Sequence, residues 1–405
     1  MEMDLVLENG EVFYMGKLQR VNVGIENGKI VKVADKKLEG KERIDCTGKV
    51  VLPGLIDVHV HFRVPGFEHK EDWKTGSAAA AAGGVTTVFD MPNTKPPTIL
   101  QGLLREKAEI AKRDSIVDFR LHFGMTERNI NELIGLEGAN SLKIYLSSRN
   151  KELYIGDAEK ILEIFEAAKE LDFVVCVHAE DGGEEELLIQ NVLEIQKVVG
   201  NKVHIVHVST KEGLEAVAEA KGRENGDAVT CEVCPHHLYL VEEDEDWLRE
   251  LSAVDPPLRS WEDVNALWRG INNGTVDCIA SDHAPHTREE KKDGLPGMPG
   301  VQTMLPLMLD VVNGEQRDKP KADLAIERLV ELCCENPARI FGLEDKGEIK
   351  EGKDADFAIV DMNADSVIRN VGQKTKVGWT PFDGKKIKGV VEKTIVKGRV
   401  VYERK

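Results

Sequence analysis

The central part of the chain alternates two hydrophobic patterns. Short runs dominated by Val, Ile and Leu are followed by longer stretches in which apolar residues return every three to four positions, as Ile161, Ile164, Phe165 and Ala168 do. The first pattern predicts buried strands of a parallel sheet, and the second predicts amphipathic helices that cover it. Eight strands are predicted, over residues 55–61, 85–90, 117–123, 142–146, 173–178, 203–208, 228–234 and 276–281.

Helical patterns separate these strands, for example over residues 73–82, 158–171 and 212–221. Eight alternating βα units favour an α/β fold of the closed (β/α)8 TIM-barrel type, and an open doubly wound sheet is the alternative. No GxGxxG motif follows the first predicted strand, so a dinucleotide-binding version of the open sheet is disfavoured.

The two ends of the chain have a different pattern. The N-terminal part reads as short strands with Asn-Gly turns at 9–10 and 27–28. Residues 347–360 and 390–402 are also strand-like, and the latter segment folds back at a Lys-Gly pair at 397–398. We therefore expect the two ends to fold together as one small sheet domain beside the barrel.

Composition narrows the class of protein. The 405 residues include 54 Lys and Arg against 72 Asp and Glu, a net charge of −18, which argues against a general binder of nucleic acid or anionic membranes. A local basic patch stays open. No run reaches the ~18 apolar residues of a membrane span, and the N-terminus lacks a secretory pattern. Seven cysteines, an odd number, fit reduced thiols in the cytoplasm better than a disulfide framework.

Histidines mark the ends of several predicted strands. All 11 lie between His59 and His286, and the first strand closes with Asp57-x-His59-x-His61. Because side chains two residues apart on a strand point to the same side, His59 and His61 can chelate one ion. The alternative for an isolated His-x-His is two histidines on a half-buried strand.

Other strand ends strengthen the metal interpretation. His178 ends the fifth strand, His207 ends the sixth, and Asp282 follows the eighth. His204 lies three residues before His207, hence on the opposite side of the strand, and is expected to be a packed or hydrogen-bonded histidine. Strand ends converge on one face of a barrel, so these side chains predict a site with nitrogen and oxygen ligands, which zinc accepts.

Two further features have alternative interpretations. Lys143 on the fourth strand faces the same interior, and it is either a solvated rim lysine or a desolvated neutral amine that can add CO2 to form an anionic carbamate. Cys231 and Cys234, followed by His236 and His237, could hold a structural zinc ion. Their spacing points the two thiols to opposite faces and no second Cys-x-x-Cys is present, so packed thiols are favoured.

The motifs DVHVHFRVPG, FDMPNT, SLKIYLSS, VHAED, VHVST, CEVCPHHLYL, SDHAPH and ENPARIFGL occur in this order along almost the whole chain. Together they resemble the dihydroorotase family of the amidohydrolase superfamily. The resemblance implies a barrel, 54–344, with a small β-sandwich domain formed by residues 1–53 and 345–405. It also implies two zinc ions, with His59, His61 and Asp282 on one, His178 and His207 on the other, and carboxylated Lys143 bridging both.

The resemblance also nominates substrate contacts. Arg63, Asn93 and His286 match family positions that bind the substrate carboxylate, and a planar guanidinium at the barrel mouth suits that role. The alternative for Arg63 is a solvated rim charge. Pro299 and Gly300, in a Gly/Pro-rich loop after the eighth strand, are expected to shape the pocket wall.

The function implied is the zinc-dependent, reversible cyclisation of N-carbamoyl-L-aspartate to L-dihydroorotate in pyrimidine biosynthesis, with Asp282 moving the proton. Two alternatives stay open: a hydantoinase-like or allantoinase-like cyclic amidohydrolase, and a catalytically inactive scaffold partner. Some family members use one metal or a bridging Asp, so Lys143 is the ligand to check first. We expect a small-molecule substrate and neither nucleic acid nor membrane as partner, while homo-oligomerisation and association with pathway enzymes stay open.

Overall fold

The computed structural model describes residues 3–314 and 322–405. Its strands fall into an N-terminal group, a central group and a C-terminal group. The N-terminal strands are β1 (Met3–Glu8), β2 (Glu11–Tyr14), β3 (Lys17–Gln19), β4 (Asn22–Glu26), β5 (Lys29–Ala34), β6 (Gly40–Asp45) and β7 (Val50–Pro53). The central strands are β8 (Leu55–Val60), β9 (Val85–Asp90), β10 (Asp118–Gly124), β11 (Ser141–Tyr145), β12 (Val175–His178), β13 (Val203–Ile205), β14 (Val229–Val233) and β15 (Cys278–Ile279). The C-terminal strands are β16 (Phe357–Val367), β17 (Lys386–Val396) and β18 (Arg399–Glu403).

The eight central strands form one parallel sheet in sequence order, β8 to β15. The first and last strands meet just beyond their ends, where Val60 and His283 form a parallel bridge and His61 N donates to His283 O at 2.8 Å. Asp57 Oδ1 also accepts a hydrogen bond from Ser281 N at 3.0 Å. The predicted barrel is confirmed.

The barrel strands are buried on both faces, which explains their continuous apolar runs. Helices and strands of the outer layer cover one face, and side chains fill the interior. Polar residues inside the barrel are therefore exceptions that need partners or a function.

Twelve helices accompany the strands in the described residues, and several begin at a capping side chain. Asp72 accepts from Thr75 N at 2.8 Å at the start of the first helix, and Ser260 caps another. The helices are α1 (Trp73–Ala82), α2 (Gln101–Asp114), α3 (Ala158–Glu170), α4 (Glu185–Val199), α5 (Lys211–Lys221), α6 (Pro235–Tyr239), α7 (Glu245–Leu248), α8 (Trp261–Asn273), α9 (Arg288–Lys292), α10 (Met304–Val312), α11 (Ile326–Val330) and α12 (Asn336–Ile340). A π-helical turn, Glu331–Glu335, joins α11 to α12.

The chain ends form two sheets. One is four-stranded in the order β5-β4-β1-β6, and the other is six-stranded in the order β18-β17-β16-β7-β2-β3. Strand β7 pairs antiparallel with β16, with Val51 opposite Ile359, so the two ends do fold together as expected. Apolar side chains of both sheets pack between them, among them Leu5, Val23 and Phe357. The β-sandwich beside the barrel is therefore confirmed, while the residue limits that we gave its domains stay a prediction.

Two of the three hairpin turns predicted from the sequence are present in the structure. Asn27-Gly28 closes the β4–β5 hairpin, and Lys397-Gly398 joins β17 to β18. Asn9-Gly10 instead forms a corner between strands of different sheets, because β1 and β2 do not pair with each other. The strand expected over 347–360 begins only at Phe357.

No helix within residues 3–314 and 322–405 combines the length and the apolar character that crossing a membrane requires.

Candidate metal centre and substrate cleft

A cleft opens where the central strands end. It holds about 480 Å³ of space between protein atoms, including its open mouth. Parallel barrels place their sites at this carboxyl end because the loops after the strands converge there. The cleft is lined by His59, His61, Arg63, Asn93, Tyr145, Asn150, His178, His207, Asp255, Asp282, Ala284, Pro296 and Gly297.

His59, His61 and Asp282 form the tightest group in this cleft. One ligand atom from each lies within 4.8 Å of the others, and all three residues are buried. Asp282 Oδ1 is 3.0 Å from His61 Nε2 and 3.3 Å from His59 Nε2. These are the atoms that a divalent cation would use.

The hydrogen bonds of the Nδ1 atoms fix the tautomers of the His59 and His61 rings. His61 Nδ1 lies 2.7 Å from Asn93 Oδ1, and His59 Nδ1 contacts Glu232 Oε1. An amide or carboxylate oxygen of this kind accepts a hydrogen bond, so each Nδ1 carries the proton and each Nε2 presents a lone pair. Three acceptor atoms then face one another, which requires a proton or a cation between them. This donor set fits a divalent metal.

The pKa shifts of His61 and Asp282 agree with a cation site. Burial lowers the pKa of His61 to about 4, so its imidazole is neutral at physiological pH. Burial opposes ionisation of Asp282, but the neighbouring His59 and His61 outweigh it and hold the pKa of this carboxyl below its usual range. Neutral imidazoles and an ionised carboxylate are the forms that bind metal.

Three of the predicted site residues have left-handed backbone geometry. The φ angles are +67° at Arg63, +39° at His207 and +43° at Asp282. Non-glycine residues seldom adopt this region, and such strain persists only where the surroundings enforce it. Each of these residues follows a barrel strand, so the sharp turn directs its side chain over the cleft.

His178 and His207 form a second pair. His178 Nδ1 lies 2.8 Å from His207 Nε2, and His178 Nε2 has no hydrogen-bond partner although it is buried. Burial lowers the pKa of His178 to about 3 and that of His207 well below its usual value. Two neutral imidazoles that face one point are suitable ligands for a second cation.

Lys143 is completely buried, and its Nζ has no hydrogen-bond partner. The ammonium position lies 4.9 Å from the centroid of the Tyr145 ring. Burial lowers the pKa of Lys143 to about 8, because the charged form loses its hydration. A buried amine without a partner is costly, so this residue calls for a ligand or a modification.

Glu232 is a functional residue that sequence reasoning missed. It is fully buried inside the barrel, contacts His59 Nδ1, and lies 3.0 Å from His204 Nε2. His204 also contacts Thr230 Oγ1 at 2.8 Å, so it is hydrogen-bonded, as expected. Its contact with Glu232 places it inside the barrel, so the expectation that it lies on the opposite side of the strand from His207 is wrong, because the backbone turns sharply at His207. The one charged residue in the buried strand β14 was the available signal, because a buried charge needs partners.

Arg63 and Asn93 both line the cleft. Arg63 is 7% exposed, and its guanidinium contacts Pro285 O at 3.3 Å and His286 Nε2 at 3.1 Å. It is therefore a fixed, buried cation and differs from a solvated rim charge. His286 lies behind Arg63, outside the cleft lining, where Lys70 Nζ approaches its other ring nitrogen at 3.3 Å.

The loop after the eighth strand lines the cleft at Pro296 and Gly297. Pro299 and Gly300 lie further along, outside the lining, and Gly300 N donates to His283 Nδ1 at 3.1 Å. Gly297 has a φ of +138°, and a Cβ there would lie 2.4 Å from Ala284 O. The close approach of these backbones explains a glycine at this position.

Comparison of the sequence with known proteins identifies the family of this chain. The sequence from residue 50 to residue 401 matches the amidohydrolase family. This chain belongs to the amidohydrolase family. The barrel, the sandwich and the cleft at the strand ends agree with that assignment.

Several relatives of this amidohydrolase are similar over nearly their whole length. The dihydroorotase of Pyrococcus abyssi is 40% identical, covering 99% of this chain and 95% of the relative. The dihydroorotase of Methanosarcina mazei is 37% identical, with 98% and 94% covered. Among solved structures, an L-hydantoinase (dihydropyrimidinase) from Arthrobacter aurescens superposes with a TM-score of 0.92 at 29% identity, covering 99% and 96% of the two chains.

Proposed function

We propose that this amidohydrolase is a dihydroorotase, which interconverts N-carbamoyl-L-aspartate and L-dihydroorotate plus water. The observation that carries the proposal is the buried guanidinium of Arg63 in the cleft wall, beside the cluster of His59, His61 and Asp282. Dihydroorotate differs from simple cyclic imides by a carboxylate, and a planar buried cation is the group that recognises one. The relatives named dihydroorotase support the same substrate.

We propose two zinc ions in the cleft. His59, His61 and Asp282 would hold one, and His178 and His207 the other. The neutral amine of Lys143 would add CO2, lose a proton and become a carbamate that bridges both. Its buried and unpartnered Nζ supports this modification. When bound, the ions supply Lewis acidity, which polarises a carbonyl and lowers the pKa of water toward ~7.

Other side chains would bind and orient the substrate. Arg63 and Asn93 would hold the substrate carboxylate, with His286 supporting Arg63 from behind through its ring nitrogen. Pro299 and Gly300 would act indirectly, by fixing the loop whose earlier residues, Pro296 and Gly297, line the cleft. This arrangement would fix the ring so that the amide carbonyl points toward the cation site.

Asp282 would move the proton. In hydrolysis its carboxylate would take a proton from the attacking water and pass it to the ring nitrogen as the amide bond breaks. In cyclisation the same carboxyl group would return a proton to the departing hydroxide. Carbamoyl aspartate has two carboxylates and dihydroorotate has one, so cyclisation consumes one proton and is favoured as pH falls.

The alternative substrate class is the cyclic imides that lack a carboxylate. It is favoured by one observation, the superposition on a structure named L-hydantoinase. That structure is 29% identical to this chain, whereas the relatives named dihydroorotase reach 40%. An inactive scaffold is the least supported alternative, because the cleft is lined by all five of the proposed His and Asp ligands and by Arg63 and Asn93.

A substrate panel tests the proposal. Purified enzyme supplied with zinc should hydrolyse dihydroorotate far faster than dihydrouracil or hydantoin, and it should cyclise carbamoyl aspartate faster at pH 6 than at pH 8. Comparable rates on dihydrouracil would assign the chain to the hydantoinase class. The absence of turnover on all three rings, with metal bound, would support the scaffold alternative.

The state of the thiols supports a proposal for the compartment. All seven cysteines are buried and free, so we place the enzyme in a reducing compartment, the cytoplasm.

A further inference from the structure

The Cys-x-x-Cys motif at the end of β14 takes no part in the proposed reaction. The structure separates its two thiols: Cys231 Sγ lies 3.5 Å from Thr275 O, whereas Cys234 lies with His236 and His237. One ligand atom of each of these last three residues lies within 4.8 Å of the others, and all are buried. The four residues therefore do not form one site, but three of them do converge.

The backbone brings the three side chains into one turn. Helix α6 begins directly after Cys234, and both His237 N and Leu238 N donate to Cys234 O, at 3.0 and 3.1 Å. The imidazole centroids of His236 and His237 are 4.3 Å apart. The ligand atoms are thus held near one another by local hydrogen bonds.

Two ring nitrogens in this turn lack partners. His237 Nε2 lies 3.0 Å from Pro256 O, and because a carbonyl only accepts, Nε2 carries the proton. His237 Nδ1 is then an unprotonated lone pair, and it has no hydrogen-bond partner. His236 Nε2 also has none, and the two residues are 3% and 2% exposed. Buried polar atoms without partners are costly, and they point to a missing ligand.

We propose that Cys234, His236 and His237 bind a divalent cation of the zinc class, at a site separate from the ligands of the substrate cleft. One thiolate and two imidazoles match the ligands that zinc prefers in tetrahedral sites. In a tetrahedral site with bonds of about 2.0–2.3 Å the ligand atoms lie about 3.3–3.8 Å apart. The three atoms, which lie within 4.8 Å of one another, would therefore have to approach one another by about 1.5 Å at most. The thiol proton is released to solvent when the ion binds.

Such an ion would fasten two segments that border the cleft. His237 already contacts the Pro256 carbonyl, and Asp255, the preceding residue, lines the cleft. The ion would therefore hold α6 against the loop that carries Asp255. Three protein ligands leave the fourth coordination position for water or another ligand.

Cobalt(II) is the probe that separates this site from the cleft. The ligands proposed in the cleft are nitrogen and oxygen atoms only, so a thiolate-to-cobalt charge-transfer band in the near ultraviolet reports on a sulfur ligand alone. We expect the band in metal-stripped wild type reloaded with Co²⁺. Elemental analysis should also find one more zinc per chain in wild type than in Cys234→Ser. Neither readout depends on the substrate, so a failed substrate panel would leave this test intact.

Cys231→Ser is the matched control, since that buried thiol lies three residues before Cys234, within β14, and outside the cluster. The band should survive in Cys231→Ser and vanish in Cys234→Ser. If the latter does not fold, His236→Ala is the second variant and should lose the extra zinc. Wild type without the band, or without a sulfur neighbour at about 2.3 Å in zinc X-ray absorption, would overturn the proposal. Equal zinc contents in wild type and Cys234→Ser would also overturn it.

Discussion

Lys143 is the residue whose burial is hardest to explain without a modification, because its amine has no polar partner inside the barrel. We expect Lys143→Ala to lose most turnover and to hold fewer than two zinc ions per chain, since the bridging group is gone. Short carboxylic acids in the buffer should restore part of the activity by occupying the gap. Elemental analysis and turnover measure both effects.

Lys112→Ala, at an exposed position on α2, is the control and should behave as wild type. Two zinc ions per chain in Lys143→Ala would contradict the bridging role.

Arg63 is the single residue that we expect to determine the choice of substrate. Arg63→Met keeps the length of the side chain but removes its charged, two-point contact with a carboxylate. Such contacts are commonly worth ~1.5–3 kcal/mol, so kcat/KM for dihydroorotate should fall about tenfold to a hundredfold. Zinc content should not change, because Arg63 is not a ligand.

Arg105→Met, an exposed substitution on α2, controls for loss of positive charge. Unchanged dihydroorotate kinetics in Arg63→Met would remove the main support for the proposed substrate.

Sequence reasoning identified residues at the ends of strands better than residues that support them. His59, His61 and Asp282 converge because the ends of two strands, β8 and β15, meet, and the order of strands was readable from the apolar runs. Glu232 and Asn93 orient the ring tautomers through contacts between distant segments. The pairing of such segments depends on side-chain geometry, which spacing along the chain does not encode.

At the scale of elements, Lys291 on α9 joins two loops of the cleft. Its amine is buried and donates to the carbonyls of Ala253, Leu295 and Gly297, the last at 3.0 Å. Gly297 N donates in turn to Ala253 O at 3.0 Å. This one side chain therefore holds the loop that contains Gly297 against the loop that precedes Asp255.

We expect Lys291→Met to raise KM for dihydroorotate several-fold and to lower kcat less, because it loosens the wall without touching the reacting atoms. Steady-state kinetics measure the split. Lys292→Met, the exposed neighbour on the same helix, should change neither constant. If Lys291→Met lowers kcat alone, the residue does more than position the loop.

The elements themselves were largely predictable. The helix expected over 73–82 is α1 without change, and the strand over 85–90 is β9. Both are defined locally, the helix by a capping Asp at its start and the strand by a short run of buried, mostly β-branched residues. The strand over 276–281 shrinks to β15, Cys278–Ile279. Barrel closure there depends on Asp57 and on the bridge between Val60 and His283, which are contacts between the first and the last strand and join residues far apart in sequence.

At the scale of the whole molecule, one ion-pair network connects the barrel to the sandwich. Lys346 Nζ lies 2.7 Å from Asp118 at the start of β10, and 3.1 and 2.5 Å from Asp354 and Asp356 before β16. The lysine side chain is only 3% exposed, so solvent screens these contacts little. This network also explains why the segment before Phe357 is not a strand, because Asp354 and Asp356 both direct their carboxylates toward Lys346.

The last prediction concerns this network. Lys346→Met removes the cation that contacts all three carboxylates, while Lys397 stays beside Asp118 and Lys29 beside Asp354. Breaking a buried ion pair commonly costs about 3–5 kcal/mol of unfolding free energy, and the two remaining lysines should keep the loss toward the lower end of that range. Burial opposes ionisation of Asp118, but Lys346, with a smaller contribution from Lys397, outweighs it and holds the pKa of Asp118 below its usual value. In wild type that stabilisation is present at neutral pH and is lost as pH falls through the lowered pKa. In the variant the carboxylates gain stability by taking up protons, so the difference in stability should be largest near pH 7 and should shrink toward pH 4. Denaturant unfolding of wild type, Lys346→Met and the exposed control Lys350→Met at both pH values measures it. A difference that stays constant or grows on acidification would show that Lys346 acts through packing and not through charge.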